Sequence, residues 1–298
     1  MSDTTLKRPE AADAPAEPEP EPSSRSAVRR RLGSPLLTAF TFFLAILMVW
    51  PAFWMVLTAF KTERAALTIP PTLLFEPTLE QFEGVFSGNF PPYVFNSVFA
   101  TVVSTAIVLL LALPAAWALS VQSVKRAQDA LFFFISTRML PLVGAVIPIY
   151  VISRDLGLLD NVTALTMVYT AMNLPIAIWV LRSFLLEVPS EVIEAAMVDG
   201  ANLSQLIRKI LVPIILPGLA ATALICVIFS WNEFLFAVNL TSTSAPTVPV
   251  YLVGFITAEG LFWAQLSAAA TMASLPVLLA GWLAQKQLVR GLSFGAVK

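Results

Sequence analysis

Few side chains in this 298-residue chain could do chemistry, and their types narrow the choices at once. There is no histidine, and the one cysteine, Cys226, sits inside an apolar run. That removes the commonest general base, the commonest metal ligand and any disulfide framework. Two ionisable residues interrupt apolar stretches. Arg138 lies in STRMLP and Glu233 in SWNEF. A charge in hydrocarbon must face protein or water and find a partner, so each either holds helices together or lines a path for a polar solute. An Arg138–Glu233 pair is one arrangement, although residue spacing separates their depths by about 10 Å. Thr170, Asn173, Trp231 and Asn232 are further candidates to line such a path. Hydroxyls and amides beside aromatic faces suit sugars or polyols, while Trp231 could equally anchor at the interface. None of these residues forms a metal-binding or nucleophilic cluster.

The elements that must position them are membrane helices. The chain is 57% hydrophobic and 12% charged, with a mean hydropathy of +0.80. A soluble domain is about half apolar and a quarter charged, so these values indicate an integral membrane protein. Six apolar runs, near 35–60, 94–120, 128–152, 163–185, 214–238 and 263–285, are each long enough to cross about 30 Å of hydrocarbon at helical rise. The run 248–256 is too short to cross and reads as part of an external loop or a re-entrant piece. Pro114, Pro141, Gly144, Pro148, Pro175 and Pro276 interrupt the runs, and each break marks either a kink in packing or a solute path. Residues 1–33 are rich in Pro, Ala and Glu and predict a disordered tail ahead of a permease domain over 34–298. The first apolar run is too long for a signal-peptide core and is read as a retained span.

Charge sets the orientation. With the tail inside, 14 of the 18 Lys and Arg residues fall on inner segments and only Lys61, Arg64 and Arg154 on outer ones. Both termini and the segment 190–213 are therefore expected in the cytoplasm. The outer stretch 61–93 carries Glu63, Glu76, Glu80 and Glu83, whereas 239–262 holds no positive charge.

The inner segment SEVIEAAMVDGANLSQLIRKILVPIILP, 190–217, has the marks of two short helices. Ser190 is the expected N-cap of the first, with Glu191 and Glu194 favoured by the helix dipole and Gly200 as the residue that ends it. Val192, Ile193, Ala196 and Met197 fall near one face. Asn202 and Gln205 have the spacing of a capping box that starts the second helix. Leu203, Leu206, Ile207, Ile210 and Leu211 form its apolar stripe, opposite Arg208 and Lys209. Pro213 and Pro217 mark its end.

Glu194-Ala195-Ala196, Asp199-Gly200-Ala201, then Ile210 and Pro213, resembles the EAA loop of permease subunits in binding-protein-dependent ABC importers. The usual I-x-L-P ending has Val212 in place of Leu. The likeness extends over nearly all of the chain after residue 33. It is strongest to maltose-type carbohydrate permeases, on the side of the second permease of the pair. It rests on Asn96-Ser97, Arg138-Met139-Leu140-Pro141, Trp231-Asn232-Glu233-Phe234 and Val289-Arg290-Gly291-Leu292-Ser293. The phrases STRMLP, YTAMNLPIAIWVLRSF and RGLSFGAVK look most like sorbitol/mannitol permeases. The resemblance implies an all-α, six-span type I importer fold with a cytoplasmic coupling loop. It implies a second homologous permease, two ATP-binding subunits that hold the ATP and Mg, and an extracytoplasmic solute-binding protein that meets the outer loops. Glu194, Ala195, Ala196, Asp199, Gly200, Ala201 and Asn202 would couple to an ATPase, and none would be catalytic.

The chain has no phosphate-binding loop: none of its six lysines follows glycine and precedes Ser or Thr. Nucleic acid has no basic patch to meet, and lipid is the solvent. The expected role is thus a transmembrane permease subunit for a carbohydrate, a sugar alcohol before an oligosaccharide such as maltose or trehalose. The rival class is a secondary transporter driven by an ion gradient, which calls for several paired intramembrane charges and internal repeats. Neither is visible.

Overall fold

A computed structural model describes residues 24–121, 125–257 and 260–295. The chain divides into two units, Met1–Phe53 and Trp54–Lys298. Helix α1 runs Ser24–Ala59, so it begins ahead of the predicted boundary at 33. Ala, Arg and Leu after Ser24 are good helix formers and no breaker precedes Gly33, which explains the earlier start. The rest of the predicted tail lies outside the described residues.

The second unit is helical apart from a hairpin of two-residue strands, β1 (Ile256–Thr257) and β2 (Gly260–Leu261). Short helices α2 (Glu63–Ala66) and α3 (Glu80–Ser87) lead to the long α4 (Phe90–Ser120). Then come α5 (Ala127–Met139), α6 (Leu142–Asp155) and α7 (Val162–Leu186). The predicted inner hairpin is α8 (Ser190–Val198) and α9 (Leu203–Ile214), the latter wound as a π-helix over Leu206–Leu211. After these lie α10 (Leu216–Trp231), α11 (Leu235–Leu240), α12 (Val248–Val253) and α13 (Trp263–Gly295). Among the described residues four helices are long and apolar enough to cross a membrane as single rods, and two bent pairs qualify when each is taken together: α5 with α6 at 91° and α9 with α10 at 81°.

Two of the predicted spans are therefore corrected. The run 128–152 is not one helix, because Leu140 is extended (φ −64°, ψ 134°). The ring of Pro141 disfavours helical geometry at its predecessor, and Leu140 takes the extended alternative. The run 214–238 stops at Trp231 and resumes as α11. Pro114, Pro148, Pro175 and Pro276 lie within continuous helices instead of at breaks. The short 248–256 run is the one-and-a-half-turn α12 and the start of the hairpin.

The packing follows membrane rules. Lipid tails are as apolar as leucine, so helices associate through close backbone approach and hydrogen bonds. The buried face of α10 is Gly218, Thr222, Cys226 and Ser230, four small residues at a strict spacing of four. The buried face of α4 is likewise small over Ser97, Ala100, Thr101, Ser104, Ala112 and Ala116, whereas Phe95, Val102, Leu110 and Leu111 are exposed. Between these helices lies α7, with Leu165, Tyr169, Asn173, Ala177, Ile178 and Leu181 buried. Asn173 donates from Nδ2 to Ser230 Oγ at 2.9 Å, and Ser230 Oγ lies 3.4 Å from Ser104 Oγ, which links all three helices.

Long-range caps close the unit. Arg182 donates from Nε to the Leu119 carbonyl, a C-terminal carbonyl of α4. Glu63 accepts from the amides of Ala264 and Gln265 and so caps α13. Lys61, placed by charge counting on an outer segment, is buried. Its Nζ donates to the Thr72 carbonyl at 2.7 Å and stands 4.6 Å from the Trp54 ring centroid and 5.1 Å from that of Phe75.

Gly218 is where α10 meets α7. A Cβ there would stand 2.4 Å from Phe184 Cγ and 2.9 Å from Phe184 Cβ, atoms too near the backbone to swing away. Gly218→Ala is expected to destabilise the protein by about 1–3 kcal/mol through overpacking. It should lower the melting temperature in detergent, and Phe184→Ala in the same chain should recover at least about half of that loss.

Candidate functional site

Two regions gather the residues singled out in the sequence: a cavity at the bent crossing and the inner hairpin. The cavity, of about 1080 Å³, is walled by the end of α5, by α6 and α7, and by the turn between α10 and α11. Arg138, Asn232 and Glu233 line it, together with Thr137, Phe229 and Met172. Thr170, Asn173 and Trp231 do not. Thr170 turns its hydroxyl back to the Thr166 carbonyl at 2.8 Å. Asn173 is wholly buried in the α4–α7–α10 seam, and Trp231 packs in the core beside Phe90 and Val248. The candidate path residues thus divide into three on the cavity, two in the core and the half-buried Thr170.

Arg138 and Glu233 do not pair. Arg138 ends its half-helix and donates from Nη1 to the Met172 carbonyl at 3.0 Å, in the turn before Pro175. There the proline ring loosens the ladder of α7. The guanidinium carbon also sits 5.0 Å from the centroid of Phe229, a cation–π arrangement. Glu233 faces the other way along the chain: Oε1 accepts from the Phe236 amide at 2.8 Å and Oε2 from the Ala237 amide at 3.1 Å. It caps α11, where the helix dipole favours a carboxylate. Among the described residues the only salt bridge is Arg154–Asp155, on the surface.

Above the cavity a third carboxylate is just as fully used. Asp160, in the α6–α7 turn, accepts from the amides of Ser242, Thr243, Ser244 and Ala245 at 2.8 to 3.1 Å. Desolvation is the largest single influence and works to raise its pKa, but the four amides together outweigh it and hold the carboxyl well below the usual range. Sequence reading missed Asp160, and the one local signal is the Asp-Asn pair ahead of α7, of which Asn161 caps the helix through Thr163.

The inner hairpin is built largely as its sequence implies. α8 ends in a full Schellman motif: the Gly200 amide reaches the Met197 carbonyl at 3.1 Å and the Ala201 amide the Ala196 carbonyl at 3.0 Å. Gly200 takes the left-handed backbone at φ +79° that this motif requires. Asn202 and Gln205 form the reciprocal capping box, each contact 2.9 Å. The predicted N-cap is corrected. Pro189 occupies that position and Ser190 is the first helical residue, with no side-chain cap. The second helix also runs on through Pro213 and breaks at Ile215.

The hairpin is seated on its own bundle through Ile193, Ala196, Leu206, Leu211 and Ile215, which join Leu181 and Leu185 in one core. Ala196, expected to face a partner, points into that core instead. Glu194, Ala195, Asp199, Gly200 and Asn202 are exposed, and Ala201 is half-buried. Val192, Met197, Val198 and Leu203 are exposed beside them, Val198 at 88%.

Residues 82–293 match the family described as binding-protein-dependent transport system inner membrane component. The chain belongs to that family. It is 39% identical over 277 residues to a probable ABC transporter permease protein of Sinorhizobium fredii, covering 93% of this chain and 99% of that one. It is 34% identical over 267 residues to the diacetylchitobiose uptake system permease protein DasC of Streptomyces coelicolor, covering 89% and 96%. Its fold matches a bacterial ABC transporter involved in the import of the acidic polysaccharide alginate, with a TM-score of 0.70, 23% identity, and coverage of 91% of this chain and all of that one. The protein is thus a multi-pass transport component of the inner-membrane family and not an enzyme. Nucleotide binding falls to partner ATPase subunits, and membership of this family removes the ion-gradient transporter as a rival.

Because Arg138 and Glu233 bond to different backbones, Arg138→Gln and Glu233→Gln should act independently. Their effects on stability in detergent are expected to add, with a coupling below about 0.5 kcal/mol. A coupling above about 1 kcal/mol would mean that the two side chains meet.

Proposed function

We propose that this chain is the second permease of a heteromeric, ATP-driven importer for a carbohydrate, with a sugar alcohol such as mannitol or sorbitol as the solute. The observation that carries the importer reading is the hairpin 190–214. It is stiffened by a Schellman turn and a capping box, seated on the bundle by one face, and exposed on the other. A helix pair this strongly fixed has no role in an unpartnered loop, and its exposed Val192, Met197, Val198 and Leu203 call for a cover. One of two ATPase subunits supplies that cover. Glu194, Ala195, Asp199, Gly200, Ala201 and Asn202 form the contact or its bend, while Ala196 anchors the hairpin from within. Both termini and the hairpin then lie in the cytoplasm, and an extracytoplasmic binding protein meets the outer loops. ATP-driven closure of the ATPases moves the hairpin of this permease towards that of its homologous partner, and the rigid helices carry the motion to the cavity.

A polyhydroxylated solute is supported by the cavity itself. Arg138 uses one of its five N–H donors on Met172, and Asn232 and Thr137 line the same space beside Phe229 and Phe234. Glu233 is oriented by two backbone amides, one on each carboxylate oxygen, as the cap of α11. An oligosaccharide is the second reading, favoured by the diacetylchitobiose relative.

Purification of the complex with its binding protein, followed by melting of that protein with mannitol, sorbitol, maltose and trehalose, tests the solute. A shift with a polyol is expected, and a shift with the disaccharides alone transfers the assignment to the oligosaccharide. For the coupling, Gly200→Val should remove solute-stimulated ATPase activity, about tenfold or more, while insertion persists. A β-branched residue at positive φ costs about 1–2 kcal/mol or more and breaks the turn. Glu194→Lys should weaken co-purification of the ATPase. Unaltered coupling and co-purification in both variants would place the ATPase contact elsewhere.

A further inference from the structure

The outer loop 241–247 joins α11 to α12, and its short sequence of Ser, Thr, Ala and Pro would leave it pliable on its own. Instead it is held on both sides. Asp160 takes four of its consecutive amides, and the Asp160 amide in turn donates to the Leu240 carbonyl at 2.8 Å. From α4, Asn96 donates to the carbonyls of Ser244 and Pro246, and Ser97 accepts from the Val248 amide. Ser242, Thr243 and Ser244 nevertheless remain exposed, whereas Ala245 to Val248 are buried. A fixed backbone thus presents a small polar tip to the outside.

The same clamp reaches the cavity. α11 is six residues long and is tied at both ends. The Glu233 carboxylate holds its first turn at the cavity wall, the Asp160 backbone amide donates to its last carbonyl, and the Asp160 carboxylate holds the loop beyond. Leu235 and Phe236 of α11 line the cavity, as do Leu142, Ala145 and Ile149 of α6, the helix before the Asp160 turn. The loop and that wall are thus joined by one short helix.

We propose that Asp160 is a positioning residue, holding 242–245 in the shape that the solute-binding protein engages and joining that loop to the cavity wall through α11. This rests on the importer reading above. The carboxylate acts through the loop backbone and touches no solute. A free loop of this composition would have to be ordered at each docking event, so loss of the clamp weakens docking without altering the ATPase sites.

The test uses the whole complex in proteoliposomes, with ATPase rate followed against the concentration of solute-loaded binding protein. Asp160→Ala should raise the half-saturating concentration about tenfold or more, since several hydrogen bonds to a charged group are lost. The rate at saturation should stay within about twofold, a separation that general damage to the fold would not give. Asp160→Asn keeps the size and one accepting oxygen, should shift the same quantity about threefold, and serves if the alanine variant does not assemble. Hydrogen exchange reads the clamp directly: amides 242–245 should be protected in the parent complex and exchange freely in Asp160→Ala. Unprotected amides in the parent, or lost protection with an unchanged half-saturating concentration, overturns the proposal. A parent complex that no binding protein stimulates overturns the importer reading and the docking role with it, while the exchange data still report whether the clamp exists.

Discussion

Everything in this fold answers one constraint: a broken helix in hydrocarbon frees backbone groups that water cannot satisfy. The chain breaks its helices at Leu140–Pro141, at Ile215 and across Asn232–Phe234. Around those breaks the ionisable side chains are spent on backbone. Arg138 takes a carbonyl of α7, Glu233 takes two amides of α11, and Asp160 holds the turn that follows α11. None of the three needs an opposite charge, because peptide dipoles supply the complementary partial charges. The cavity exists because the crossing segments are short, and they can be short because these caps hold their ends.

That arrangement explains what could be read from the sequence and what could not. Hydropathy located the four long apolar rods and the two bent pairs, though not the breaks within those pairs, and local rules located Gly200 and the Asn202–Gln205 box, because both depend only on neighbours within five residues. The assignment of Ser190 as N-cap failed for a local reason too, since Pro189 already supplies the non-helical residue at that end. Prolines were poor guides to breaks. Pro114, Pro175 and Pro276 each remove one helix hydrogen bond from a rod whose other bonds persist, whereas Pro141 follows a residue that has left helical geometry. Partners separated by 82 to 85 residues for Asp160, or by 201 and 202 for Glu63, leave no trace in spacing. A single sequence shows such acids only as outer charges.

The same limit divided the candidate path residues. Arg138, Asn232 and Asn173 are alike as polar residues in apolar runs, but only helix rotation decides which ones face space. Asn173 shares its face of α7 with Tyr169 and Ala177, four residues to either side, and that face meets the small residues of α4 and α10. Arg138 instead ends a half-helix, where no neighbouring turn covers it. Ala196 shows the reverse case. Its family-like position suggested an outer contact, yet the periodicity of α8 pairs it with Ile193, and both turn inward.

In the coupling proposed above, the 81° bend between α9 and α10 sets how a push on the hairpin would reach the cavity. A straight helix would transmit a push along its axis, out of the membrane, and leave its neighbours unmoved. A bend fixed on both sides converts that push into a rotation of α10. Ile215 is buried at the corner, and Gly218 lies against Phe184 one turn beyond it, so the corner cannot open without parting α10 from α7. Phe229, near the far end of α10, stands with its ring centroid 5.0 Å from the Arg138 guanidinium carbon, so a rotation of α10 would carry the ring across that cation. The contact at that cavity is a cation over a ring, which tolerates sliding better than a bidentate ion pair with fixed fork geometry. An Arg138–Glu233 salt bridge would have locked α5 to the turn after α10. Arg138 is held instead by the Met172 carbonyl and the Phe229 ring.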